Sequence, residues 1–157
     1  MSRETYLTFI IGEDYFAVNV IKVLEVLEKQ KVTQVPKAPE HIMGIINFRG
    51  QILPVIDTRK KFRITTENIS NKNSVIVYEI KGETDVTTIA ATADGVKDVI
   101  EIDDSEIKPI PEIGISYDSR YIKGAVNLND KFVLILDIEK LLSLTPTDQI
   151  NLPEFIN

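Results

Sequence analysis

Short apolar runs rich in Val, Ile, Leu, Phe and Tyr, punctuated by Gly, Asn and Asp, recur along almost the whole chain. Runs of this length bounded by turn residues predict β-hairpins, because each must bury at least one face of a sheet. Runs 6–11 and 15–20 flank the turn tripeptide Gly12-Glu13-Asp14. Runs 44–48 and 51–56 flank Arg49-Gly50, where glycine takes a positive φ at least cost. Runs 75–80 and 86–93 flank a turn containing Gly82, and runs 124–128 and 131–136 flank Asn129-Asp130. Between the hairpins, 25–27, 32–35 and 96–102 read as further extended pieces. Pro54 lacks the N–H that a central strand needs, so it predicts an edge or a bulge. Helices are expected only in short form. Asp57 predicts a cap on 58–62, and Asp137 opens a terminal helix over 138–144. The polar segment 63–73 reads as a connecting loop, and 145–157 as a loosely held tail.

The pattern repeats in register. A shift of 80 places Ile42 on Ile122, Gly44 on Gly124, Asn47 on Asn127, Asp57 on Asp137 and Lys60 on Lys140. A shift of 76 places Val23-Leu24-Glu25-Val26 on Val99-Ile100-Glu101-Ile102, and a shift of 75 places Val32, Val35 and Pro36 on Ile107, Ile110 and Pro111. The growing offset implies an insertion around 113–119. The chain therefore reads as an all-β duplication of a unit of roughly 75 residues, each copy a barrel of about five strands, since closure removes exposed sheet edges. Two such small units should pack together to bury enough apolar surface.

Composition narrows the chemistry. With 157 residues, 43% hydrophobic and 27% charged, the chain sits in the ordinary globular range. A net charge of -6 argues against a nucleic-acid partner, which calls for clustered Lys and Arg. No cysteine and a single histidine, His41, exclude disulfides, thiolate metal sites and thiol catalysis, and point to neither metal nor cofactor. There is no signal-like start and no apolar run of membrane-spanning length, so a cytoplasmic protein without membrane insertion is expected.

Four acidic residues at element ends, Glu25, Asp57, Asp94 and Asp137, are the candidates for acid–base chemistry. Helix capping explains Asp57 and Asp137 without a substrate, and Asp94 sits at a strand exit. The sequence holds no nucleophile elbow, triad or glycine-rich phosphate loop. His41, beside Glu40 in a short turn, reads as a solvated surface histidine. No catalytic residue is assigned. Arg49 stands out instead, at a hairpin tip where a fixed guanidinium can fork onto a carboxylate.

The run VPKAPEHIMGIINFRGQILPVID, residues 35–57, resembles the signature of the CheW-like family: two spaced prolines, Gly-Val-x-Asn-x-Arg-Gly, then Ile-x-Pro-Val-x-Asp. FIIGEDYFAVNVIKVLEV before it, and TADGVKDVIEIDDSEIKPIPEI and YIKGAVNLNDKFVLILDIEKLL after it, are similar to the remaining family elements. The resemblance runs from about residue 5 to 144. Asn19 departs from the family's usual Asp, keeping turn bonding but losing a charge, and Asn129-Asp130 has no counterpart to Arg49.

The resemblance implies two pseudo-symmetric, SH3-like, five-stranded barrels in one domain over 5–144. Subdomain 1 is expected over about 15–72 plus swapped strands, and subdomain 2 over about 73–144 plus N-terminal strands. It also implies a non-catalytic adaptor joining methyl-accepting chemoreceptors to the regulatory domain of the histidine kinase CheA. By matching motif positions, Glu25 and Arg49 correspond to a paired polar site, Val23 to a receptor-contact position, and Asn47 and Gly50 to the same hairpin. The rival readings are a regulatory or adaptor domain of a related kinase pathway, or an acid–base enzyme at the barrel junction. A length of 157 with an initial Met favours the free-standing adaptor.

Overall fold

The computed structural model describes residues 2–28, 30–63, 74–81, 84–110 and 119–143. The loop expected over 63–73, the insertion around 113–119 and the tail 145–157 lie outside these, Arg63 and Ser119 apart.

Among the described residues there are ten strands in chain order: β1 (Arg3–Ile11), β2 (Asp14–Asn19), β3 (Val23–Glu28), β4 (Ile42–Phe48), β5 (Gln51–Ile56), β6 (Ser74–Lys81), β7 (Val86–Ala93), β8 (Gly95–Asp103), β9 (Ile122–Leu128) and β10 (Lys131–Leu136). Helix α1 (Thr58–Phe62) follows β5, and α2 (Ile138–Leu141) follows β10. All four expected hairpins form, and α1 has the bounds read from the sequence. α2 stops at Leu141, short of the expected 144, with Leu142 at its C-cap.

The strands make two five-stranded sheets, ordered β8-β1-β2-β10-β9 and β3-β6-β7-β5-β4. Both orders have the same form, so the duplication is structural. At the end of each sheet a bridge reaches back, Thr33 to Ile45 and Lys108 to Ala125, and closes the barrel. The division of the chain differs from the expected one near residue 72. One sheet is the continuous stretch Val23–Ala93, whereas β1 and β2 join β8–β10 in the other. β2 thus leaves the first barrel, and β6–β7 enters it. Hydrophobic alternation specifies which face of a strand is buried; it does not specify which sheet accepts that strand.

Three apolar clusters explain why some runs alternate and others do not. Ile46, Phe48, Leu53, Val55, Val75, Val77 and Ala90 fill one barrel; Tyr6, Ala17, Ile102, Val126, Val133 and Ile135 fill the other. A third cluster lies between the barrels and draws Leu7, Phe9, Phe16 and Val18 from β1–β2 and Ile76, Tyr78, Ile89 and Ala91 from β6–β7. The middles of those two hairpins are therefore buried on both faces, which is why Phe16–Val18 and Val75–Tyr78 run continuously apolar. Phe62 at the end of α1 enters this shared core, its ring 5.3 Å from Phe16 and 5.9 Å from Tyr121.

Pro54 is not on an edge strand: β5 lies between β4 and β7. It is tolerated because the register with β7 covers only Val55 and Ile56, so no ladder bond to β7 is lost.

Candidate functional site

The residues singled out at the first hairpin converge on one surface. β4 and β5 meet at a two-residue turn in which Arg49 has φ 53° and Gly50 φ 82°. Two successive left-handed residues make the tight turn that matches strand twist. The Gly50 N–H donates to Asn47 Oδ1 at 2.9 Å and locks the turn from inside, so Asn47 and Gly50 serve the position of Arg49. The Arg49 guanidinium lies over the Phe48 ring, 4.8 Å from its centroid, and Nη2 is 3.5 Å from Glu25 Oε1 on β3. Because β3 and β4 are the two ends of one sheet order, this contact spans the closing seam of the barrel.

Both side chains face water, with 69% of Arg49 and 39% of Glu25 exposed. An exposed pair at this separation contributes about 0–1 kcal/mol to stability. The arrangement instead presents a guanidinium and a carboxylate at a defined spacing, each with donors or acceptors left for another surface. Val23 begins the same strand, half-buried against the shared core, with a register shift between it and Glu25. Ile21 and Leu24, close to it in the chain, are 75% and 42% exposed.

The other acidic candidates are engaged in structural roles. Asp57 Oδ1 accepts from the Arg59 and Lys60 N–H groups at 3.1 and 3.3 Å, and Asp137 Oδ1 accepts from Lys140 N at 3.2 Å. Asp94 is bound on both oxygens. Arg59 Nε donates to each at 3.0 Å, Arg59 Nη2 to Oδ2 at 2.7 Å, and Gly12 N to Oδ2 at 2.6 Å. Nothing in the sequence marks Arg59 as the partner of Asp94 at its strand exit. The two lie 35 residues apart, with no local spacing to connect them. His41 departs from its expected solvated state: it is half-buried, Nε2 is buried, and its carbonyl accepts from Asp57 N at 2.7 Å. Asn19 does keep the turn bond expected of it, accepting from Ile21 N at 3.0 Å, while its amide donates to Glu4. Among the described residues no group of three or more metal-ligating side chains forms, and no helix is long and apolar enough to cross a membrane.

Comparison with known proteins gives one consistent result. The family model of the CheW-like domain matches residues 5–145. A chemotaxis protein CheW of Klebsiella aerogenes is 31% identical over 141 residues, covering 89% of this chain and 82% of its own. The CheW of Bacillus subtilis is 30% identical, with 88% and 86% covered, and the protein FrzA of Myxococcus xanthus 28%, with 89% and 86% covered. The crystal structure of the scaffolding protein TtCheW from Thermoanaerobacter tengcongensis superposes with a TM-score of 0.80 at 30% identity, covering 97% of this chain and 94% of that one. With the match running from within β1 past α2, the chain belongs to the CheW-like domain family.

Proposed function

We propose that this chain is a non-catalytic chemotaxis adaptor that couples methyl-accepting chemoreceptors to the regulatory domain of the histidine kinase CheA in the cytoplasm. Family membership over the whole doubled barrel is the observation that carries this reading. The site supports it further: Glu25, Arg49, Asn47 and Gly50 form an exposed, preset polar feature next to Val23, a surface suited to holding a partner. The acid–base alternative gains nothing from the geometry, since Asp57 and Asp137 cap helices and Asp94 is tied to Arg59. Coupling of this kind acts by differential affinity: an adaptor that binds one kinase state better than another shifts the population toward it.

The test is co-elution of this chain with a chemotaxis kinase regulatory domain and a receptor signalling hairpin, for wild type, Glu25→Arg, Arg49→Glu and the double exchange. Wild type is expected in a complex with both partners, each single reversal weakened toward at least one, and the double exchange partly restored. Co-elution with the kinase domain alone would favour a related kinase pathway. Single reversals that bind like wild type would remove the Glu25–Arg49 pair from the interface, and binding to neither partner would overturn the reading.

A further inference from the structure

Among the described elements the chain passes between its two sheets twice. It leaves the first sheet after β2, through the single 3-10 turn Val20–Lys22 into β3, and returns after β7 through Asp94 into β8. These crossovers are the covalent joints between the barrels. Each is met by a charged side chain from one of the two helices. Arg59, the second residue of α1, holds Asp94 bidentately, and Glu139, the second residue of α2, is ion-paired with Lys22. Residues 59 and 139 are equivalent under the same shift of 80 that relates Asp57 to Asp137. The duplicated positions thus do the same job with opposite signs. Neither pair is freely solvated: the Arg59 and Asp94 side chains are 17% and 16% exposed, those of Lys22 and Glu139 28% and 33%.

We propose that Arg59–Asp94 and Lys22–Glu139 are two clamps that fix the angle between the barrels, and that their opposite polarity assigns each crossover to its own helix. The shared core between the barrels is apolar and non-directional, so it resists separation more than rotation. A forked guanidinium–carboxylate contact is directional. Asp94 adds a third direction by accepting from Gly12 N, so α1, the β7–β8 crossover and the β1–β2 turn meet at one carboxylate. The polarity also works against misassembly. The two copies share a sheet order, so a crossover docked on the wrong helix would otherwise find a similar seat. Lys22 would then face Arg59, and Asp94 would face Glu139, like charge on like. The inference depends on the fold alone and is independent of which partners the adaptor holds.

The chain has no cysteine, so V86C/V99C places one spin label on each sheet, at sites 60% and 61% exposed. With native clamps a single narrow distance distribution is expected by pulsed electron spin resonance. Asp94→Asn with Glu139→Gln, which neutralise both clamps with little change in shape, should broaden or shift it. Pairs that only add stability would lower the urea midpoint and leave the distance untouched; an unchanged distribution overturns the clamps. For polarity, R59E/E139R sets like charges at both joints, and adding D94K and K22D restores attraction. The quadruple variant is expected to recover midpoint and distance relative to the double, including the case in which the double fails to fold. A quadruple variant no better than the double overturns the assignment.

Discussion

Thr33 and Ile45 exchange both backbone hydrogen bonds, at 2.9 and 2.8 Å, and through them the strand order β3-β6-β7-β5-β4 becomes a closed ring. The second barrel repeats the device with Lys108 and Ala125, again at 2.9 and 2.8 Å. In both, the residue preceding the bridge on the end strand, β4 or β9, is glycine. A β-carbon on Gly44 would stand 2.1 Å from the Thr33 carbonyl oxygen, and one on Gly124 2.7 Å from that of Lys108. The two glycines are thus paired in the sequence because both barrels close by backbone-to-backbone approach, without need of a positive φ.

Gly44→Ala should therefore open the first closing bridge. The clashing atom is backbone, so the chain must move, and the overpacking cost is about 1–3 kcal/mol, with lost bridge bonds adding about 1 kcal/mol each. Gly124→Ala should cost less, because one of its two nearest contacts, Ile107 Cγ2, is a side chain that can yield. Urea unfolding checks both the size and the order; equal midpoints for the two variants and wild type would contradict closure by these bridges.

Phe62 offers a test of the shared core. It is fully buried, lies against Phe16 and Tyr121, and is delivered from a helix only five residues long. Truncation to Ala leaves a cavity between barrels that are each closed elsewhere, so the site has little means of collapsing. A loss of about 3–5 kcal/mol is expected, read as a lower urea midpoint. A loss below about 1 kcal/mol would mean that the barrels stand without this seam.

Much of this was legible in the sequence, for identifiable reasons. Turn residues and apolar runs are local, so the four hairpins and α1 came out at or near their observed bounds. Asp57 and Asp137 are caps because capping is decided within three residues. The shifts of 75 and 80 also relate the two closing bridges, Thr33 with Ile45 and Lys108 with Ala125, although the sequence names neither as a bridge. What the residues themselves did not show was non-local. Nothing near Arg59 signals Asp94, and nothing in the residues of β1–β2 signals pairing with β8 and β10; only the family resemblance implied N-terminal strands in the second subdomain. The missing N–H of Pro54 likewise did not reveal its seat on a central strand, because the length of its register with β7 is a tertiary property.

Arg49→Gly separates stability from partner choice. Arg49 holds a left-handed φ of 53°, a conformation costing a side-chain residue about 1–2 kcal/mol that glycine avoids. The variant gives up an exposed ion pair worth about 0–1 kcal/mol and an exposed contact with the Phe48 ring worth about 0.5–1 kcal/mol. These nearly cancel, so the urea midpoint should stay close to wild type. Binding to a kinase regulatory domain or receptor hairpin should nonetheless fall. A large drop in midpoint would instead make Arg49 a structural residue.

Acid sensitivity follows from the Lys22–Glu139 pair and two further carboxylates, Asp103 and Asp14. Glu139 is partly desolvated, which alone would raise its pKa, but the hydrogen bond from Lys22, its own backbone N–H and the charges of Lys22 and Lys123 together hold it below the ordinary 4.5. Asp103 is held below 3.8, first by the backbone N–H of Ser105 and then by its hydroxyl, with Arg3 adding to them. For both, the folded state binds its proton less readily than the unfolded chain. Their contribution is therefore complete above the ordinary carboxylate values and is lost as pH falls through the lower folded ones. Asp14 runs the other way: burial, then Glu13, raise its pKa, so its ionisation opposes folding as pH rises through and above 3.8. The urea midpoint should thus fall on acidification below about pH 4.5, and Glu139→Gln should fall less steeply than wild type because one of the titrating groups is gone. Parallel curves for the two proteins would take the Lys22–Glu139 clamp out of the acid response.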